Sequence, residues 1–163
     1  MGADTLVSAG RDRVLIVWDL KRGASVATTP MYEELSAVAP LSGAAECAWS
    51  EELRTAGGGN AGFVAVGGSD GVLRVFCLEK RKVILERRDT LQFAIEQILV
   101  PADSRLPLTV VTRDQNLLRF DSRTLTRKQQ VVGDLDEVVD VRIFGSSSDR
   151  VAVATNSKDV KVK

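Results

Sequence analysis

The residues that could take part in catalysis form a short set. Three aspartates, Asp12, Asp70 and Asp114, each lie between two apolar runs, and the 163 residues contain two cysteines. Because the chain contains no histidine, it cannot by itself build a histidine-dependent triad or an imidazole metal site. The cysteines do not have the spacing of a zinc site or of a disulfide framework. We therefore expect no catalytic residue and no metal.

A glycine-rich segment could in principle bind a nucleotide. Residues 55–63 read TAGGGNAGF, and Gly57, Gly59 and Gly62 satisfy the pattern G-x-G-x-x-G. A dinucleotide site needs a strand before this pattern and a helix after it. Here a helix-prone run comes first and an apolar, strand-like run follows. We interpret the segment as a loop between strands, and we expect no cofactor.

Composition excludes several classes of protein. The chain has 22 basic and 22 acidic residues, which is unlike the strongly basic balance of a protein that coats nucleic acid. Any contact with RNA would therefore come from a local patch. The N-terminus does not read as a signal peptide, and no apolar run approaches the roughly 20 residues of a membrane span. We expect no membrane contact and no small-molecule substrate.

The aspartates belong to an internal repeat. Each follows a run of strand-forming residues, and an aromatic residue comes six positions after it, at Trp18, Phe76 and Phe120. A fourth copy, RVAVATNSKDVKVK, has Ser157 at the aspartate position. The copies are anchored near residues 6–20, 63–78, 108–121 and 150–163. The intervals from Asp70 to Asp114 and from Asp114 to Ser157 are about 43 residues each, a length typical of a four-stranded propeller blade.

Two further strands are predicted between successive copies. They cover residues 24–29 and 35–39, 83–88 and 95–100, and 129–132 and 138–144. The first interval is longer than the others, which we explain by an insertion at residues 43–62. The inner strands of each copy are nearly continuously apolar, whereas outer strands such as KVILERR mix charged and β-branched residues. This gradient predicts an all-β protein built from propeller blades.

The pattern resembles the WD-repeat family across nearly the whole chain. The signature Trp-Asp is intact once, at Trp18-Asp19, and later copies read Phe76-Cys77 and Phe120-Asp121. The resemblance implies about three and a half blades of a larger, tandem propeller protein. We expect residues 1–163 to be one partial propeller and a fragment of a longer chain, because unpaired strand edges at both ends would promote aggregation.

The resemblance also implies a structural brace. In this family the strands of a blade are lettered a to d from the axis outwards. An Asp of the b–c turn, a Ser or Thr of strand b, a Trp of strand c and an upstream His form hydrogen bonds together. Ser8, Asp12 and Trp18 match three of these positions, with Asp70 and Asp114 in later turns. No His is present, and Gly133-Asp134 occupies a Gly-His site, so we expect Asp12 to accept hydrogen bonds from turn amides instead.

One end of the predicted propeller is the candidate partner face. In a propeller the b–c turns share the narrower face with the d–a loops, where partners of WD-repeat proteins usually bind. We expect aromatic and arginine side chains to contribute most there. The candidate residues are Arg11, Arg13, Met31, Tyr32, Arg113, Gln115, Asn116 and Lys158. The alternative is that they are ordinary turn residues.

Four segments narrow the resemblance. SAGRDRVLIVWDL, GSDGVLRVF, TRDQNLLRFDSRTL and DEVVDVRIFGSSSDRVAVATNSKDVKV resemble, in order, the transducin-beta-like WD-repeat subunits of the UTP-B complex of the small-subunit processome. The resemblance is strongest over residues 108–163. It implies a non-enzymatic scaffold in ribosome biogenesis and pre-rRNA processing, located in the nucleolus of the nucleus. The implied partners are other WD-repeat processome proteins, U3 small nucleolar RNA and pre-rRNA.

Two alternatives remain from the residues alone. A WD-repeat adaptor in signalling or in substrate recognition by a ubiquitin ligase would use the same face for protein–protein contacts. A hydrolase with a site in the central channel is the weaker alternative, because it would need converging carboxylates. The three turn aspartates are already explained by the geometry of the fold. Fold alone does not decide between such functions.

Overall fold

The structure is a computed structural model, and the residues it describes are 4–41, 62–90, 92–103, 105–122, 124–131, 137–145, 150–158 and 160–162. All regular secondary structure in these residues is β-strand, so the predicted all-β class is confirmed. Of the predicted insertion 43–62, only Gly62 is described. Gly57, Gly59 and the Gly133-Asp134 pair also lie outside the described residues.

The described residues form fourteen strands. In chain order they are β1 (Thr5–Ala9), β2 (Val14–Asp19), β3 (Ala24–Pro30), β4 (Leu35–Pro40), β5 (Phe63–Gly68), β6 (Leu73–Cys77), β7 (Lys82–Arg87), β8 (Ile95–Leu99), β9 (Leu108–Thr112), β10 (Leu117–Phe120), β11 (Arg127–Val131), β12 (Val138–Phe144), β13 (Arg150–Thr155) and β14 (Val160–Val162).

These strands make four separate antiparallel sheets. Sheet 1 contains β1–β3, sheet 2 contains β4–β7, sheet 3 contains β8–β11 and sheet 4 contains β12–β14. In each sheet the strands are neighbours in the order in which they follow along the chain, so each sheet is a meander. The four strands of sheets 2 and 3 correspond to a, b, c and d of a propeller blade. The described strands are b to d in sheet 1 and a to c in sheet 4. The predicted partial propeller is confirmed.

Burial decreases from the centre of each sheet to its outer edge. Every residue of β5, β6 and β9 is buried, whereas the outermost strands β7 and β11 alternate between exposed and partly buried residues. The reason is that a middle strand is covered on both faces by neighbouring sheets and therefore needs a continuous apolar sequence, such as FVAV in β5. The predicted gradient is confirmed.

The apolar core consists of three clusters, each between two consecutive sheets. They lie between sheets 1 and 2, 2 and 3, and 3 and 4, and include in that order Leu15 with Phe76, Leu73 with Ile95, and Val111 with Val141. Each cluster joins residues that are distant in the sequence. Neighbouring sheets are therefore held together face to face mainly by apolar contact.

The tight connections repeat one backbone conformation. The residue after each turn aspartate has a positive φ, at Arg13 (66°), Gly71 (68°) and Gln115 (67°). The turns that follow strand c do the same, at Gly23 (62°), Arg81 (52°) and Leu125 (51°). A left-handed conformation costs a residue with a Cβ about 1–2 kcal/mol. Only one of the three positions in each kind of turn is a glycine, so the other two residues pay the conformational cost of the positive φ.

Replacing Arg13 by glycine is expected to stabilise the protein. Relief of the left-handed conformation outweighs the extra freedom that glycine gives the unfolded chain, so the free energy of unfolding should rise by about 0.5–1 kcal/mol. Urea denaturation measures the change. Arg11→Gly is the control, because Arg11 lies in the same turn without a positive φ and should lose stability. An equal change in both variants would contradict this explanation.

Candidate functional site

The turns between strands b and c and the loops that lead into strand a lie at one end of the sheets. We call this end the turn face; within the described residues it comprises the turns 10–13, 69–72, 113–116 and 156–158, the loop before β4, the described part of the loop before β8, and Glu137 before β12. Backbone hydrogen bonds join each turn to such a loop or to the start of its strand: Leu35 N to Gly10 O (3.1 Å), Ser69 N to Glu34 O (2.9 Å), Arg113 N to Ala94 O (2.8 Å) and Asn156 N to Glu137 O (3.0 Å). Each turn is thus held against a loop or strand start beside it, and the bond from Leu35 to Gly10 also joins sheet 1 to sheet 2.

The structure brings two of the brace residues of the first copy together. The indole Nε1 of Trp18 donates a hydrogen bond to Ser8 Oγ at 2.9 Å, which links strands c and b of sheet 1. Asp12 does not join this pair. Its side chain is exposed, and Oδ1 accepts a hydrogen bond from the backbone N of Val14 at 3.3 Å. Asp12 therefore closes its own turn, and the hydrogen-bonded pair is Ser8 with Trp18.

The later turn aspartates also bond locally. Both carboxylate oxygens of Asp114 accept hydrogen bonds, one from Thr112 Oγ1 and one from Asn116 Nδ2. Asp70 Oδ1 accepts a hydrogen bond from Ser69 Oγ at 3.0 Å. Since these hydrogen bonds stay within single turns, the carboxylates act as turn-forming groups and do not converge on one point.

Sequence reasoning missed a buried ion-pair network that crosses from the loop before β4 into sheet 2. Glu33 forms an ion pair with Arg74, and Oε2 of Glu33 also accepts a hydrogen bond from the backbone N of Asp70 at 2.7 Å. Arg74 Nε in turn lies 2.9 Å from Glu86 Oε1. The side chains of Glu33 and Arg74 are almost completely buried. The one available signal was an arginine inside the apolar run GVLRVFCL.

The candidate partner residues have different environments. Arg11, Arg13, Tyr32 and Lys158 are exposed on the turn face. Arg113 is exposed too, and its Nε lies 3.2 Å from Glu96 Oε1. Gln115 and Asn116 are partly buried, and Asn116 bonds both Asp114 and Gln130 within sheet 3.

Met31 is a correction to the predicted partner face. Its side chain is only 3% exposed and packs in the cluster between sheets 1 and 2. The backbone explains this: Met31 N bonds Arg13 O at 2.8 Å, which continues strand d of sheet 1 by one residue and turns the side chain into the core. Met31 is therefore an anchor of the loop and not a contact for a partner.

A cavity of about 530 Å³ lies at the opposite end of the sheets, between the outer turns of sheets 1 and 2. Trp18 contributes to its wall, and its charged lining residues include Asp4, Lys21, Glu79 and Arg81. Asp4 and Lys21 already form a salt bridge at 2.8 Å. Because both acidic and basic side chains line it, the cavity favours no ligand of a single charge.

The described part of the chain has neither a metal-binding cluster nor a membrane-spanning helix. No group of three or more His, Cys, Asp or Glu side chains in it could hold a metal ion. None of its elements is a helix of the length and apolarity that crossing a membrane requires.

Sheets 3 and 4 are joined by a polar contact as well as by their apolar cluster. Gln97 Nε2 donates a hydrogen bond to Asp140 Oδ1 at 3.0 Å, and Arg142 Nε lies 2.9 Å from Asp140 Oδ2. The hydrogen bond from Gln97 and then that from Arg142 hold the pKa of Asp140 below its ordinary value. The charged form of Asp140 is thus favoured in the folded protein.

This contact is expected to weaken in acid. A carboxyl with a lowered folded-state pKa contributes stability above its ordinary pKa of about 4, and this contribution is lost as the pH falls through the folded-state pKa. Asp140→Asn should therefore lower the Tm at neutral pH, and the difference from the wild type should shrink in acid. Thermal unfolding at several pH values measures this. A difference that does not change with pH would contradict it.

Comparison with known proteins gives relatives along almost the whole chain. The chain is 31% identical over 161 residues to transducin beta-like protein 3 of Rattus norvegicus. The aligned region covers 97% of this chain and 19% of the relative. It is 30% identical over 164 residues to the protein of the same name from Mus musculus, an alignment that covers 99% of this chain and 20% of the relative. It is 29% identical over 160 residues to that from Homo sapiens, an alignment that covers 97% of this chain and 19% of the relative.

The chain spans about a fifth of the length of these curated relatives. No family model matches it. The relatives are nevertheless WD-repeat proteins, and the similarity runs through all four sheets, each of which has the strand order of a propeller blade. This chain is therefore similar to WD-repeat proteins over almost its whole length, and its sheets are a run of successive β-propeller blades.

Proposed function

We propose that this chain is part of a non-enzymatic scaffold in ribosome biogenesis, which assembles the small-subunit processome and supports pre-rRNA processing with U3 small nucleolar RNA. The observation that carries the proposal is the similarity to transducin beta-like protein 3, which covers 97% of the chain without breaking at any sheet. The four segments that resemble the transducin-beta-like subunits of the processome support it further. They coincide with strands of all four sheets.

The proposed partners are other WD-repeat processome proteins, together with U3 small nucleolar RNA and pre-rRNA within the assembled particle. The proposed location is the nucleolus. A scaffold needs rigid surfaces that can be occupied by several partners at once. The sheets fit this role, because an apolar cluster lies between each consecutive pair and holds the two sheets together.

The local chemistry supports a binding role over a catalytic one. A hydrolytic centre would bring two or more carboxylates, or a nucleophile and a base, within hydrogen-bond distance of one reacting atom. Asp12, Asp70 and Asp114 instead bond within three separate turns. The buried Glu33 carboxylate is likewise occupied by Arg74 and by a backbone amide.

Affinity purification tests the proposal. The protein is tagged at its natural locus and purified, and both the RNA and the proteins that accompany it are identified by sequencing and mass spectrometry. The matched control is an unrelated tagged WD-repeat protein from the same cells. We expect enrichment of U3 small nucleolar RNA and of other WD-repeat processome proteins, together with nucleolar fluorescence of the tagged protein. Recovery of ubiquitin-ligase or G-protein components without enriched RNA would favour the adaptor function instead.

A further inference from the structure

Tyr32 projects into solvent from between two buried anchors. Its side chain is 84% exposed, whereas the neighbouring side chains of Met31 and Glu33 are 3% and 2% exposed. Met31 packs in the apolar cluster between sheets 1 and 2, and Glu33 forms the ion pair with Arg74. Within the described part of the chain, Tyr32 makes no hydrogen bond through its side chain and belongs to none of the three apolar clusters. Its ring does not serve the core.

The backbone fixes this outward orientation. Tyr32 has a φ of 62°, a left-handed conformation that glycine adopts far more easily than an aromatic residue. Hydrogen bonds hold the loop on both sides, from Met31 N to Arg13 O (2.8 Å) and from Ser69 N to Glu34 O (2.9 Å). The backbone that carries the ring is thus held in place before any partner binds. A tyrosine side chain has only a few rotatable bonds, so ordering it on binding costs little conformational freedom, which favours affinity.

Two unpaired guanidinium groups belong to the turn that holds this loop. Arg11 and Arg13 are exposed, and neither forms a salt bridge within the described ranges. The backbone of their turn bonds both sides of the tyrosine, through Arg13 O and through Gly10 O, which accepts from Leu35 N at 3.1 Å. Asp12, between the two arginines, is directed to the amide of Val14. An aromatic ring beside two free arginines has the composition of an interface hot spot.

We propose that Tyr32, Arg11 and Arg13 form a docking point for an acidic protein segment. An apolar side chain of the segment covers the ring of Tyr32, and its carboxylates pair with the two guanidinium groups. A protein segment fits better than RNA, because Glu34 and Asp70 are also exposed on the turn face and would repel a continuous phosphate backbone. Separate carboxylates can instead be placed opposite single arginines. This inference rests on the proposed scaffold function, for which it supplies a specific contact.

The test uses the full-length protein and a phage-displayed library of random peptides as the probe. We expect the selected peptides to be rich in Asp and Glu next to an apolar residue, and to bind more weakly as the salt concentration rises. Tyr32→Gly should weaken the binding of a selected peptide by about tenfold or more, and so should the double variant Arg11→Glu/Arg13→Glu. The Tm of Tyr32→Gly should not fall, since glycine accepts the left-handed conformation without strain.

The controls come from the other end of sheet 1. Leu20→Ser removes an exposed apolar side chain and Arg22→Glu reverses an exposed charge, and neither should change peptide binding. Peptides without acidic bias, or binding that Tyr32→Gly leaves intact, would overturn the proposal. It would also be overturned if an oligouridine RNA, and no acidic peptide, bound in an Arg11- and Arg13-dependent manner.

The two proposals fail separately. One outcome is that purification recovers no processome components while acidic peptides still bind at Tyr32. In that case the proposed scaffold function is wrong, and the docking point is a contact within another assembly. If processome components are recovered equally well with Tyr32→Gly, and that variant also binds the selected peptides normally, only the docking point is wrong.

Discussion

Replacing Gly71 by alanine is expected to lower the free energy of unfolding by about 3 kcal/mol or more. Gly71 has a φ of 68°, and a Cβ added there would overlap the carbonyl oxygen of Phe93 and approach Thr90 Oγ1 to 2.8 Å. Both atoms belong to the loop before β8, and Thr90 is itself buried and bonded to Gly71 O. The methyl group of the alanine therefore cannot avoid these atoms by rotating, and the loop before β8 must shift to make room for it.

Gly23→Ala is the matched control for this prediction. Gly23 has almost the same backbone angle, with a φ of 62°, but a Cβ there would meet no atom within 4 Å. This variant should lose only the conformational part of the cost, about 1 kcal/mol. Urea denaturation of both variants separates the steric cost from the conformational one. Equal losses at the two sites would show that the contact with Phe93 is unimportant.

The second large effect is expected from the buried ion pair. Arg74→Met leaves the carboxylate of Glu33 in the core without its cation, and breaking a buried pair in this way costs about 3–5 kcal/mol. Glu33→Gln should cost less, because the amide oxygen still accepts the hydrogen bond from Asp70 N. The double variant Glu33→Leu/Arg74→Met should recover much of the loss, since it removes both charges and fills the space with apolar groups.

A double-mutant cycle over these variants measures the coupling between the two side chains. The control is Arg113→Ala, which removes an exposed ion pair with Glu96 and should change the free energy of unfolding by less than about 1 kcal/mol. If Arg74→Met were no more harmful than Arg113→Ala, the network around Glu33 would be of little importance for stability.

The strands could be predicted from the sequence because each is a local pattern. A run of β-branched and apolar residues ends at a turn signal, and β12 (Val138–Phe144) and β4 (Leu35–Pro40) lie within one residue of the predicted ranges. The outer strands were less accurate at their ends, since their polar residues resemble those of the turns. β11, for example, begins at Arg127, two residues before the predicted start.

The environment of the loop before β4 could not be predicted in the same way. Whether Met31 is buried depends on a hydrogen bond to Arg13, and the burial of Glu33 depends on Arg74 in another sheet. No local pattern encodes either contact, because both partners are distant in the sequence. The positive φ at Arg13 and Gln115 was hidden for a different reason. The usual signal for that conformation is glycine, and it stands only at Gly71 among the three equivalent positions.

The division of the core into three clusters has a consequence for how such a chain can change over evolutionary time. A substitution in one cluster must be accommodated by the two sheets that enclose it, and not by the whole molecule. The aromatic positions of strand c show this independence, since Phe76 belongs to the cluster between sheets 1 and 2 and Phe120 to that between sheets 2 and 3. Each repeat can therefore carry a different aromatic residue at this position, and repeats of one protein can diverge from one another while their shared backbone architecture persists.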